Sequence, residues 1–178
     1  ADRNPLFHSI PIDVSPGDII RIKRRALIHP GNEYANMSFR IYGTEGTDLT
    51  VSRDIKTEAL ATVQYLDFQY DEGRYPITKG VLASVPGYMD SGEYTAWEPL
   101  FDTWIDEELE YHTDTGLLRI TINGQNTKLQ GKPLAFPRFR VNMNAYGWHT
   151  GHRVSVDYLE IYVESPGSVP PGSVPGEV

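Results

Sequence analysis

The sequence predicts an all-β chain with almost no helix, folded as an antiparallel two-sheet β-sandwich of the jelly-roll kind. Three observations lead to this prediction. Apolar and polar residues alternate with period two in about ten short segments. No segment keeps apolar residues at positions i, i+3, i+4 and i+7 over three turns. The 16 glycines and 13 prolines provide turns between the segments. Strands without intervening helices pair antiparallel, and 178 residues suit one such domain.

The amino-terminal half contains the first alternating segments. In residues 19–25 the apolar side carries Ile20 and Ile22 together with Arg24. The opposite side is a basic outer row made of Arg21, Lys23 and Arg25. Further strands are expected at residues 36–42, 49–53 and 74–84. Residues 59–70 carry apolar side chains on both sides, which predicts a strand buried on both faces.

The carboxy-terminal half continues the pattern. In residues 104–112 an apolar row, which also contains Glu107, alternates with an acidic row on the other side of the predicted strand. Residues 117–122 form the next segment and run into Asn123-Gly124, a strong short-range hairpin signal. Strands at 138–145 and 153–163 close the domain. The longest stretch without a clear strand pattern is residues 85–101, which we expect to be a loop, and long loops on a rigid scaffold often carry function.

Composition excludes several classes of protein. Sixteen basic and 24 acidic residues give a net charge of −8, which argues against binding to duplex nucleic acid or to an anionic membrane surface. No run approaches 18 apolar residues, so no membrane span is expected. The chain has no cysteine, which excludes disulfides, a Cys-ligated zinc and a thiol nucleophile. Phosphate-loop, dinucleotide-binding, zinc-protease and nucleophile-elbow motifs are also absent.

Residues 165–178 differ in composition from the rest of the chain. They read SPGSVPPGSVPGEV and contain PGSVP twice, which is typical of a semi-extended linker. We therefore predict a β-sandwich module at 1–164 and a linker or tail at 165–178, as in secreted proteins in which linkers join several modules. Two alternatives stay open: an ordinary mobile terminus, and a tail packed on this or a neighbouring subunit.

Three segments together resemble the concanavalin A-like lectin and glucanase superfamily, also called laminin-G-like jelly rolls. Residues 104–124 resemble its tryptophan-led strand, turn and strand ending in a hairpin. Residues 139–146, FRVNMNAY, resemble a long strand crossing the concave face, and residues 154–163, VSVDYLEIYV, resemble the closing strand. The resemblance implies a jelly roll of the carbohydrate-binding-module type. This fold hosts binders and enzymes alike, so it does not define the activity.

Sugar binding needs aromatic rings for stacking and polar side chains for the hydroxyls. Asn142, Asn144 and Tyr146 share one side of a predicted strand, opposite Val141 and Met143. We expect this polar row on a concave sheet face, where solvent or ligand meets it. The candidate ligand-binding residues are Asn142, Asn144, Tyr146, Trp148 and Arg153, with a second group in the long loop: Tyr88, Tyr94 and Trp97.

Catalytic machinery is incomplete in the sequence. Glycoside hydrolases of this fold resemble one another in a strand of the form E-x-D-x-x-E, and the acidic cluster Asp106, Glu107, Glu108 and Glu110 does not have that spacing. We interpret this cluster as a solvated outer row. Jelly-roll lyases resemble one another in an Arg-rich strand, a Gln-x-His strand and a Tyr-bearing strand. Arg138, Arg140 and Tyr146 resemble the last of these, but Gln64-Tyr65-Leu66 lacks the histidine.

The leading hypothesis is a non-catalytic module that binds a polysaccharide or glycan and belongs to a larger secreted or cell-surface protein, whose other modules are further candidate partners. The net charge disfavours anionic glycans such as alginate unless a local group of arginines overrides it. Calcium is frequent in secreted jelly rolls, and Asp90 and Glu93 are candidate metal ligands. Two alternatives stay open. One is a polysaccharide lyase or glycoside hydrolase; the other is a structural or adhesive subunit of a filament, surface layer, or phage or viral receptor-binding domain.

Overall fold

The computed structural model describes residues 3–29, 36–48, 54–66, 80–85, 93–98, 100–146 and 153–166. These ranges contain twelve strands and no helix, so no helix in them is long and apolar enough to cross a membrane. The strands are β1 (Arg3–His8), β2 (Ile12–Asp13), β3 (Ile19–His29), β4 (Asn36–Thr44), β5 (Thr57–Leu66), β6 (Gly80–Val85), β7 (Glu93–Trp97), β8 (Trp104–His112), β9 (Leu117–Ile122), β10 (Gln125–Gln130), β11 (Arg138–Tyr146) and β12 (Arg153–Glu164).

The strands form two antiparallel sheets. The seven-stranded sheet has the order β1-β11-β4-β5-β6-β7, with β2 also paired to β11, and the five-stranded sheet has the order β10-β9-β8-β3-β12. Several neighbours are distant in sequence, as in the crossovers of a jelly roll. The predicted all-β sandwich is confirmed.

Most predicted strands that fall on described residues are present, and four strands of the structure were not predicted. The stretch 85–101, expected to be a loop, contains β7, which pairs with β6. β7 has only five residues. Alternation over so few residues is a weak signal, and the strand is stabilised by its pairing with β6. β1, β2 and β10 were not predicted either. The predicted strand at 49–53 and the first part of the one at 74–84 lie outside the described residues.

The core lies between the sheets and is built from alternate residues of their strands. Phe39, Val63 and Val141 point inward from the seven-stranded sheet, while Ile20 and Leu109 do so from the five-stranded sheet. All five are at most 1% exposed. This alternation leaves the intervening side chains of each strand on the outer faces of the two sheets.

One charged pair is buried in this core. Arg24 Nη2 on β3 lies 2.8 Å from Glu107 Oε2 on β8, and the hydroxyl of Tyr65 on β5 donates a hydrogen bond to the same carboxylate. The Arg24 guanidinium also lies over the ring of Phe39, 4.7 Å from its centroid. Burial raises the pKa of Tyr65 well above its usual value, so the hydroxyl remains a donor. The solvated-row interpretation is therefore wrong for Glu107, because the inward pleat of β8 places it beside Arg24.

The other three members of the acidic cluster do form an outer row. β3 and β8 pair so that Arg21 lies opposite Glu110 and Arg25 opposite Asp106. Arg21 Nη1 is 2.6 Å from Glu110 Oε1, and Arg25 Nη1 is 3.2 Å from Asp106 Oδ1. The predicted basic and acidic rows thus neutralise each other. Exposed pairs of this kind contribute about 0–1 kcal/mol each.

The turn between β8 and β9 depends on Gly116. Its φ is +76°, and a Cβ there would lie 2.4 Å from the carbonyl carbon of Lys132. Gly124, in the next hairpin, has φ +81° but no atom within 4 Å of a Cβ. We expect Gly124→Ala to cost about 1–2 kcal/mol for the left-handed backbone alone. Gly116→Ala should cost about 1–3 kcal/mol more, because the backbone must move.

Chemical unfolding of both glycine variants measures this difference, and Gly124→Ala controls for the backbone conformation. Equal losses in the two variants would show that the close approach of Gly116 to Lys132 contributes nothing.

Candidate functional site

The outer side of the seven-stranded sheet is mainly polar. On β4, β5, β6 and β11 most residues between the inward-pointing ones are polar or charged, with the apolar Leu82 opposite Gln64 as an exception. His8 at the end of β1 is in register with them. We call this surface the polar face; it consists of His8, Arg40, Tyr42, Thr62, Gln64, Ser84, Arg140 and Asn142. Successive side chains of a strand point to opposite sides of the sheet, and this alternation places these residues on one side.

One row of the polar face crosses five adjacent strands. The cross-strand register joins the residues in the order His8, Asn142, Arg40, Thr62 and Ser84. Since neighbouring strands lie about 4.8 Å apart, the row spans roughly 19 Å. A row of this length can accommodate several sugar units of an extended chain.

Two side-chain contacts order the part of the face around β11 and β4. His8 Nδ1 is hydrogen-bonded to Asn142 Oδ1 at 2.8 Å. Arg40 Nη1 donates to the Tyr42 hydroxyl at 3.2 Å, and Tyr42 is directly opposite Arg140 in the ladder. The two guanidinium groups of this strand pair therefore flank the same tyrosine.

Several polar atoms on this face are buried without a hydrogen-bond partner in the described protein. Gln64 is 0% exposed, and neither its amide oxygen nor its amide nitrogen has a partner. The same holds for the Thr62 hydroxyl and for Arg140 Nε, with Arg140 9% exposed. An unmet buried polar group costs about 1–3 kcal/mol. Unpartnered polar groups of this kind are consistent with a binding surface, because water or a polar ligand would supply the missing hydrogen bonds.

The charge of the polar face is opposite in sign to that of the chain. Arg40 and Arg140 lie on it, and the eight residues that define this face include no Asp or Glu. Arg138, one step further along β11, differs because its Nε lies 2.9 Å from Asp13 Oδ1. Although the net charge of the chain is −8, this face is locally basic. A local group of arginines of this kind can favour an anionic glycan despite the net charge.

Among the predicted binding residues, the structure describes both the backbone and the side chain of Asn142, and only the backbone of several others. Asn142 lies on the polar face opposite the inward-pointing Val141 and Met143, as expected. It is 5% exposed, and its side chain is hydrogen-bonded to His8; its contact with a ligand stays a prediction. The backbones of Asn144 and Tyr146 continue β11, opposite Ser38 and Asn36 of β4.

The remaining candidates are more dispersed. Arg153 begins β12, in the other sheet. Tyr94 and Trp97 lie on β7, with their backbones paired to Ser84 and Val81, and Glu93 is paired to Val85. Three predicted site residues lie outside the described ranges: Tyr88, Asp90 and Trp148.

Sequence reasoning missed most of the polar face. It did not select His8, Arg40, Thr62 or Ser84, and it treated Gln64 only as part of an incomplete lyase motif. The signal was present in the alternation of Arg40 and Tyr42 with apolar neighbours. It became specific only when the strand order was known, because β4 and β11 are far apart in sequence.

The outer side of the five-stranded sheet has a shallow depression. It is lined by Arg21, Glu108, Glu110, His112, Arg119, Thr121 and Asn126. Its charged groups already pair with one another. Burial tends to raise the pKa of Glu110, but the hydrogen bond from His112 and the charge of Arg21 lower it overall. This surface leaves less unmet hydrogen-bonding capacity than the polar face.

Among the described residues, no group of three or more His, Asp or Glu side chains is arranged to hold a metal ion. The calcium site at Asp90 and Glu93 stays a prediction, since the side chains of both residues lie outside the description.

Comparison with known proteins agrees with the architecture. No protein-family model and no curated protein match the chain. Among solved structures, the potassium-bound carbohydrate recognition domain of Emp46p is 14% identical with a TM-score of 0.57, covering 85% of this chain and 74% of that one. Lectin II from Ulex europaeus is 11% identical with a TM-score of 0.59, covering 87% and 79%. The alginate lyase AlyC3 in complex with dimannuronate is 10% identical with a TM-score of 0.55, covering 88% and 68%.

These likenesses define the class of fold. The chain has a jelly-roll fold similar to that of these two lectin-type structures and of the alginate lyase.

Proposed function

We propose that the chain is a non-catalytic glycan-binding module whose ligand lies across the polar face. The observation that carries the proposal is the set of buried polar atoms without partners: the Gln64 amide, the Thr62 hydroxyl and Arg140 Nε. A hydroxyl-rich chain provides donors and acceptors at short intervals, so it can meet such groups at several points along the row. The structures with the same fold include the carbohydrate-recognising proteins named above.

The aromatic part of the proposed site comes from the sequence. Tyr146, Trp148, Tyr94 and Trp97 would provide stacking rings, with Asn144, Arg153 and Tyr88 as further contacts. β11 contributes Asn142 to the polar row, and β7 pairs with β6 at the end of the row, so rings on or near both strands would contact one ligand. The rest of the proposal follows the sequence: a secreted or cell-surface protein, a calcium ion at Asp90 and Glu93, and a linker at 165–178.

Truncation of a stacking ring tests the proposal. We expect Trp148→Ala and Tyr146→Ala each to weaken glycan binding by about 1–3 kcal/mol, or about 5- to 150-fold, because the apolar contact with the sugar is lost. A glycan array identifies the ligand and calorimetry measures the affinity. Tyr162→Ala, an exposed tyrosine on the other sheet, is the matched control and should bind like the parent.

Normal binding by both folded Trp148→Ala and Tyr146→Ala would remove these rings from the site. Absence of any glycan ligand on the array would contradict the proposed function itself.

Eliminative cleavage is the second candidate, and His8 is the observation that favours it. The lyase-like motif lacks its histidine at Leu66, but the sheet brings an imidazole from β1 into the same row as Arg40. A base on this face could remove the C5 proton of a uronate as the bond to the leaving oxygen breaks. Release of unsaturated uronate, followed by its ultraviolet absorbance and abolished in His8→Ala, would favour this activity over simple binding.

A further inference from the structure

The polar face concentrates positive charge on one strand pair. Arg140 on β11 and Arg40 on β4 are diagonal neighbours in the ladder, with Tyr42 opposite Arg140 and Asn142 opposite Arg40. Diagonal neighbours in antiparallel strands lie about 7–8 Å apart. The bond from Arg40 to the Tyr42 hydroxyl directs the Arg40 guanidinium towards the Arg140 side of this group.

The surroundings of Arg140 differ from those of Arg138, Arg21 and Arg25. Arg140 has no ion pair or hydrogen bond in the described part of the chain, although it is 9% exposed and its Nε is buried. By contrast, Arg138 on the same strand is ion-paired, with its Nε 2.9 Å from Asp13 Oδ1. On the other sheet, Arg21 and Arg25 are also ion-paired. Within the described ranges, Arg140 is therefore a buried cation without a counter-charge.

A buried cation without a partner is costly, and an anion that binds beside it removes that cost. Arginine also presents a planar fork that matches the two oxygens of a carboxylate or the oxygens of a sulfate ester. A neutral sugar would leave this charge unmet. The unpartnered amide of Gln64, on the strand next to β4, would remain available for a hydroxyl of the same ligand.

We infer that the polar face selects acidic glycans and binds the anionic group of one sugar unit between Arg140 and Arg40, beside Tyr42. This inference rests on the proposed glycan-binding function and names the class of its ligand. The local charge outweighs the net charge of −8, because close, partly buried groups are screened much less than distant surface charges.

The test compares matched polymers with the full chain. Alginate and polygalacturonate are each measured beside their carboxyl-reduced counterparts, and dextran sulfate beside dextran, by calorimetry or a depletion assay. We expect at least one acidic polymer to bind about tenfold to a hundredfold more tightly than its neutral counterpart, as for loss of a charged hydrogen bond. The carboxylate and sulfate arms identify which anion the site takes.

Variants then assign the preference to Arg140. Arg140→Gln should remove most of the difference between the acidic and the neutral polymer, and Arg140→Lys should retain part of it, since lysine keeps the charge but not the fork. Arg138→Gln is the matched control on the same strand and should retain the full preference.

The outcomes separate the two proposals. If neutral polymers bind as well as or better than acidic ones, the acidic-glycan inference is overturned while the binding function stands. If no polymer of either kind binds and glycan arrays are also negative, the proposed function fails. If Arg140→Gln does not fold, the comparison of matched polymers with the parent chain still decides.

Discussion

Replacement of Arg24 by methionine is expected to lower the free energy of unfolding by about 3–5 kcal/mol. Arg24 is 3% exposed and is the counter-charge of Glu107, which is equally buried. Without Arg24, the carboxylate would remain between the sheets with only the Tyr65 hydroxyl as a donor. A domain of this kind is stable by about 5–15 kcal/mol, so the loss is a large fraction of the total. Denaturant unfolding followed by circular dichroism measures it.

Two further variants control this experiment. Arg25→Met on the same strand removes an exposed pair with Asp106 and should cost at most about 1 kcal/mol. The double change Arg24→Met with Glu107→Leu should recover much of the lost stability, because it removes the second charge as well. An Arg24→Met variant as stable as Arg25→Met would show that the buried pair is not formed as described.

Replacement of Gln64 by methionine is expected to have opposite effects on stability and on binding. The Gln64 amide is fully buried, with both polar atoms unpartnered. Methionine has a similar length and no polar group to satisfy, so stability should stay equal or rise by about 1–3 kcal/mol. Glycan affinity should fall about tenfold or more, since the ligand loses a donor and an acceptor. Residues kept for function at the expense of stability behave in this way.

Gln130→Met provides the matched control for this substitution. Gln130 lies on β10 of the other sheet and donates to the Thr115 carbonyl at 2.7 Å. This variant should bind glycan like the parent. If Gln64→Met is destabilised and binds normally, Gln64 is a structural residue and the polar face loses its main support.

Much of the fold could be predicted from the sequence because its signal is local. Alternation alone placed Arg24 with Ile20 and Ile22, and Glu107 in the apolar row, and the structure confirms both. The turn at Asn123-Gly124 was predictable because both residues adopt positive φ angles, +46° and +81°, which Asn and Gly tolerate. Strand β7 was missed because five residues carry too little periodicity to be recognised without their partner.

The candidate site was less predictable, because its residues come from five strands that are distant in sequence. The polar row of β11 was recognised through Asn142, but nothing local indicates that Arg40 lies beside it or that His8 lies on its other side. That Arg24 and Glu107 form a pair across β3 and β8 depends on register in the same way. Strand order and register are set by long-range pairing, which periodicity does not encode.

A titration followed by nuclear magnetic resonance tests the central claim most directly. The side-chain amide signals of Gln64, assigned by their absence in Gln64→Met, are followed while oligosaccharides from the glycans that bind are added. We expect these signals to shift and to saturate together with binding, while the side-chain amide signals of Gln130 stay in place. A saturating ligand that shifts the Gln130 signals and leaves those of Gln64 unchanged would place the binding site away from the polar face and contradict the account.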